Sequence, residues 1–160
     1  MTEVNLDTIF SSLESSAAEF NSTSDLGNQT LIDAEKRLVT ANIGIEVWYP
    51  EPLESTDAEG DIGPLDVSSY IVDILGFART KGKWCLVIKR IKRVSGFFEG
   101  DMNRPYTNEY LETPPVPLLK RSRSLRIKAL AALPEFLAQI TKDIRSKTFE
   151  LSEATHKLKN

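Results

Sequence analysis

The sequence is poor in the residues on which most catalytic chemistry depends, with one cysteine and one histidine in 160 positions. A single thiol cannot close an internal disulfide, and so few Cys and His side chains cannot assemble a Cys/His metal set. The histidine, His156, falls in the polar closing residues THKLKN, so a serine or cysteine nucleophile has no obvious base. Cys85 stands mid-strand beside Trp84 and reads as a small core hydrophobe. No G-x-x-x-x-G-K-[ST], G-x-G-x-x-G or G-x-S-x-G occurs, which leaves phosphate cradles and nucleophile elbows without support.

Long apolar runs are missing too. The longest, such as Ala129–Leu133, fall far short of the ~18 residues a membrane span requires. The opening MTEVNLD is acidic and lacks the basic and apolar segments of a secretory signal. These absences predict a soluble, cytoplasmic protein with no membrane contact and no cofactor. Asp57, Glu59 and Asp61 alternate like the start of a calcium loop. However, Ile62 stands where the loop demands Gly and Ser68 where it demands a bidentate Glu, so no metal is expected.

Basic residues are scarce in the first half. Residues 1–69 carry 14 acidic side chains against Lys36 and Arg37, whereas residues 70–160 carry 18 basic against 9 acidic. Such a split prompts two readings: contact with nucleic acid, or an acidic half lying against a basic half.

What the sequence does have is 41 % hydrophobic content with 27 % charged, a globular balance. A chain of this length buries roughly two thirds of its unfolded surface as one domain. The fold class expected is α+β over residues 1–160: an N-terminal helical hairpin (1–41), an antiparallel sheet of three to four strands (42–94), a long loop (95–119), and C-terminal helices with a polar tail (120–160) packed on the sheet.

The organising stretch is Tyr70–Val94. It predicts two strands turning through Lys81-Gly82, because Gly readily takes the positive φ of a two-residue hairpin turn. That turn pairs Arg79 with Trp84, Phe77 with Leu86, Leu75 with Ile88 and Asp73 with Arg90. Cross-strand partners share a face, so Leu75, Phe77, Trp84, Leu86 and Ile88 form one apolar floor. The opposite face, with Val72, Ile74, Gly76 and Val87, is expected to be only partly covered.

Around this hairpin, Leu6, Ile9, Phe10, Leu13, Ala17 and Phe20 predict an amphipathic helix whose stripe faces the core, with Asn5 as N-cap. Residues 21–25 (Asn-Ser-Thr-Ser-Asp) should interrupt it, and a second helix should carry Leu31, Ala34 and Leu38. Ile43–Tyr49 alternates as a strand, and the proline-bounded, acidic Glu51–Leu65 reads as a loop. Ser95–Leu119 shows no period, apart from an edge strand near Tyr106–Glu112, and ends in a stiff Thr113–Pro117 connector. A helix should start near Ser122 or Ser124 and break at Leu133, with Pro134 opening another that runs to about Lys147.

The functional expectation is a non-enzymatic protein-interaction or regulatory module with a protein partner or self-association. Its contact residues are Lys89, Arg90, Lys92, Arg93, Phe97, Phe98, Arg121 and Arg123. The same basic residues carry the alternative, nucleic-acid binding. A third reading, an enzyme using paired carboxylates, would bring Glu46 near Asp73 or Glu99.

Overall fold

The structure, a computed structural model, describes residues 5–58, 67–98 and 101–158. Glu59, Asp61 and Glu99 lie outside the described residues. The chain runs α1 (Leu6–Thr40), β1 (Val47–Trp48), β2 (Glu54–Asp57), β3 (Ser68–Thr80), β4 (Lys83–Phe98), β5 (Asp101–Pro117), a 3-10 turn (Leu118–Lys120) and α2 (Arg123–Leu158). One antiparallel sheet holds the strands in the order β1-β3-β4-β5, with β2 also paired to β3, so the class is α+β.

The central hairpin takes the expected register, from Asp73 opposite Arg90 to Arg79 opposite Trp84. Lys81 and Gly82 both have positive φ, +48° and +81°, which is the turn whose twist matches the flanking strands. Leu75, Phe77, Leu86 and Ile88 are fully buried, and Trp84 stacks on Phe77 with ring centroids 5.5 Å apart. Onto this floor settle Leu31 and Leu38 of α1 and Ala129, Leu133, Phe136 and Ile140 of α2. Packing of α2 on the sheet is as expected.

Both helical regions differ from the expectation of several short helices. Each is one long helix, of 35 and 36 residues. α1 runs through residues 21–25 because its later turns are held by tertiary contact, which outweighs the weak helix propensity of Asn, Ser and Asp. Pro134 lies inside α2 rather than at a start. A proline in mid-helix costs about 3 kcal/mol. Its neighbours Leu133 and Phe136 are buried in the core, and their packing offsets that cost.

The sheet is also more extensive than expected. β2 occupies part of the presumed acidic loop, and the presumed strand Ile43–Tyr49 shortens to two residues after the positive-φ positions Asn42 and Gly44. The supposed long loop is mostly strand, with β5 pairing along β4 from Phe98 to Val87. Its aperiodic look follows from being an edge strand exposed on both faces, with Pro105, Pro114, Pro115 and Pro117 in it; the register shifts near Arg90 lie opposite the prolines. The supposed connector is thus the end of β5.

The second face of the hairpin is buried more deeply than expected: Val72 and Val87 are inaccessible and Ile74 nearly so. Trp48 of β1 lies over Gly76 so closely that a Cβ there would sit 2.2 Å from the indole ring. Gly76 therefore makes room for an aromatic, and Lys89 covers the outer side of that indole at 4.0 Å. Cys85 is half-buried rather than core, and burial raises its thiol pKa.

Gly76→Ala is expected to lower stability by about 2–3 kcal/mol through overpacking against Trp48. In urea unfolding, Trp48→Ala in the same chain should recover part of that loss, a coupling that two independent sites would not show.

The Tyr49 hydroxyl donates to Glu135 on α2 at 2.5 Å, and this bond, followed by burial, raises the tyrosine pKa above its ordinary 10.0. A raised folded-state pKa contributes stability that is complete below the unfolded value and lost as pH climbs through the folded one. Tyr49→Phe should cost about 1 kcal/mol near neutrality and flatten the fall in stability above about pH 10, as measured by denaturant midpoints.

Candidate interaction surface

β3 pairs with β4 as far as Ser95, and past that residue β4 and β5 continue as a two-stranded ribbon of residues 96–98 and 101–106. β5 is exposed over most of its length, and Phe97, Phe98, Met102, Tyr110 and Leu111 are all open to solvent. The β4–β5 pair is nonetheless tightly laced. Phe98 lies against Tyr106 with centroids 5.5 Å apart, and the Arg104 guanidinium sits 4.9 Å over the Phe98 ring. Arg93 donates to Glu109 at 2.6 Å, and the Ser95 and Thr107 hydroxyls meet at 3.0 Å. Gly96 admits Tyr106, since a Cβ at that position would come within 3.0 Å of the tyrosine oxygen. Phe97 and Phe98, expected as contact residues, thus sit on a formed ribbon with apolar area in water.

Most of the basic residues expected to bind a partner have partners within the chain. Arg90 makes a two-pronged pair with Asp73, at 3.0 and 2.7 Å, and Arg121 reaches the same carboxylate at 3.3 Å. Asp73 is only 3 % exposed. The three side chains join β3, β4 and the segment leading into α2. Arg90's pKa is raised, first by its hydrogen bond to Asp73. Arg123 lies 4.9 Å over Phe20 and donates to Asn21 at 3.0 Å. Lys89 is over Trp48, where burial lowers its pKa. Lys92 lies half-buried on β4. The eight residues are spread over several places: Phe97 and Phe98 on the ribbon, Lys89, Lys92 and Arg93 on β4 within the sheet, Arg123 at the start of α2, and Arg90 with Arg121 in a structural clamp.

Charge neutralisation between the acidic and basic halves is local. Glu54 of β2 accepts from Lys128 and from Ser124, each at 2.9 Å, and the Lys128 bond chiefly lowers its pKa. The pairs at Asp73 and Glu109 lie within the basic half itself.

Sequence reasoning missed Glu35. β5 ends its pairing at Val87, so the Leu86 N–H has no strand beside it; it donates to Glu35 of α1 at 2.8 Å. Only the periodic placement of Glu35 next to Ala34 and Leu38 carried a trace of this role. Also unforeseen is an apolar groove of about 290 Å³ between the helices, lined by Phe20, Gly27, Leu31, Ile127 and Leu130 with Arg126 at its margin.

Among the described residues, no group of three or more His, Cys, Asp or Glu side chains is placed to hold a metal ion. Nor is any helix there long and apolar enough to cross a membrane. No family model, no curated protein and no solved structure matches this chain.

Asp73→Ala removes the buried carboxylate that two partly exposed arginines share and should destabilise the fold by about 2 kcal/mol. Removing Arg121 in that background should then cost much less than it does in the native chain, which a double-mutant cycle in guanidinium would read directly.

Proposed function

We propose that this protein is a non-enzymatic protein-interaction module whose principal contact surface is the exposed side of the β4–β5 pair, the ribbon and the neighbouring length of β5. The observation that supports this reading is apolar and aromatic area held in water along the β4–β5 pair, from Phe97, Phe98 and Met102 on the ribbon and from Tyr110 and Leu111 on β5 beside it, on strands ordered by their own cross-strand contacts. Exposed apolar side chains gathered along one element mark an interaction site. Aromatic residues and Met are also the types enriched at such contacts.

Contact through the faces of the ribbon is favoured over strand addition to its edge. β5 is the last strand of the sheet, and four prolines along it remove backbone donors that an added strand would need. Nucleic-acid binding is disfavoured because Arg90, Arg93, Arg121 and Arg123 are engaged within the chain.

The test compares the native chain with a Phe98→Ser, Tyr110→Ser, Leu111→Ser variant in affinity capture from native lysate. The expected result is a set of proteins retained by the native chain and lost by the variant, with an unchanged unfolding midpoint. Equal retention by both would reject that side of the β4–β5 pair as the contact surface. In gel-shift assays, retarded nucleic acid with a steep inverse salt dependence would replace protein by nucleic acid as the partner.

A further inference from the structure

The two helices run parallel, with a constant offset. Arg123 lies over Phe20, and seven residues further along each helix Leu130 Cδ2 is 3.1 Å from where a Gly27 Cβ would stand. Positions alternately four and three apart on α1 (Phe20, Ser24, Gly27, Leu31, Ala34, Leu38) form the side of this seam that faces Ile127, Leu130 and Leu137. The spacing is that of a two-helix coiled coil, and the small residues Ser24 and Gly27 allow close approach.

On α1 the same spacing continues backward without a break through Ala17, Leu13, Phe10 and Leu6, where α2 has not yet begun. Leu6, Phe10, Leu13 and Phe20 are 48–62 % exposed. On α2 it continues forward through Ile144, Thr148, Leu151, Thr155 and Leu158, past the end of α1, and Leu151 and Leu158 are 70 % and 89 % exposed. At about 1.5 Å per residue, α1 overhangs by about 21 Å at one end and α2 by about 22 Å at the other. Among the described residues, each overhang is half of a parallel seam with no second helix beside it. Isolated helices of this length are marginal in water.

We infer that copies of this chain join head to tail, the α1 overhang of one copy lying parallel along the α2 overhang of the next. The inference rests on the interaction-module reading and names a second copy as a partner. Three observations select this occupant. The overhangs are equal in length and lie at opposite ends, so one copy supplies what the next lacks. Their stripes meet in the same heptad phase as the seam within the chain, with Leu13 opposite Leu151. The charges also agree: the α1 overhang carries Asp7, Glu14 and Glu19 with no Lys or Arg, so two α1 overhangs repel, whereas the α2 overhang carries Arg145, Lys147 and Lys157 against Glu150 and Glu153 and is net positive. With Leu13 opposite Leu151, Lys147 and Glu14 occupy the flanking positions that pair across a parallel two-helix seam. Lys147 now pairs on the surface with Glu150, a contact readily exchanged. Such a contact is heterologous and propagates into chains.

The full-length native protein should show a weight-average mass that rises with concentration in analytical ultracentrifugation. Leu13→Asp and Leu151→Asp, both at exposed positions, should each give a monomer with native helicity. An equimolar mixture of the two should give dimers and nothing larger, because only one intact contact remains. Lys147→Glu should weaken association about fivefold, and Glu14→Lys in the same chain should restore it. A native chain that is monomeric at every concentration overturns the inference. So does a Leu151→Asp variant that still dimerises alone, which would mean that α1 pairs with α1. If the native chain is monomeric while the ribbon variant still loses captured proteins, self-assembly falls and the interaction-module reading stands.

Discussion

The contact on which the rest of the structure depends is the apolar floor of the β3–β4 hairpin beneath α2. Phe77, Leu75, Leu86 and Ile88 present a flat surface only because the strands pair in one register, and Phe136, Leu133 and Ala129 fill it from above. A slip of one residue would turn every one of these side chains to the other face. Asp73 guards that register from the same strand. Its carboxylate satisfies Arg90 directly opposite and Arg121 at the entry to α2, so the sheet and the helix above it are fastened by one buried charge. Tyr49 repeats the device from β1, with its ring edge-on to Phe136 and its hydroxyl on Glu135.

Around this small core the chain extends further than its fold requires. The β4–β5 ribbon and the two helical overhangs carry exposed apolar residues that burial in the core does not use. The overhangs follow from geometry. Two helices of nearly equal length, offset along one seam, must each protrude at one end. Their common spacing keeps the unpaired halves in phase with the paired ones. The ribbon arises differently: β4 and β5 continue beyond the last residue that β3 can pair, so both faces meet water.

Much of the hairpin could be read directly from residue order. Lys81-Gly82, the alternation around it, and the opposite charges of Asp73 and Arg90 all pointed to the observed register. The apolar spacing of Leu6 to Phe20 marked a helix correctly, as did Asn5, whose side chain accepts from the backbone N–H groups of Asp7 and Thr8. The stripe expected to face the core is exposed, however, because the sheet and α2 meet only the later turns of α1. Less of the contact surface was visible. Arg90 and Arg121 looked like binding residues because charge is visible in sequence, whereas the carboxylate that neutralises both lies 17 and 48 positions away. The edge strand expected near Tyr106–Glu112 is the middle of β5, and its full length went unread because strand alternation needs one buried face, which most of this strand lacks.

The sequence alone therefore determined the local elements whose causes lie within a few residues: the turn, the register it imposes, the helix cap and the apolar stripes. Only the tertiary structure decided that α1 passes through residues 21–25, that α2 passes through Pro134, and that the helices run parallel and offset. Those outcomes depend on surfaces remote in sequence, where packing of Leu31, Leu133 and Phe136 outweighs local helix propensity.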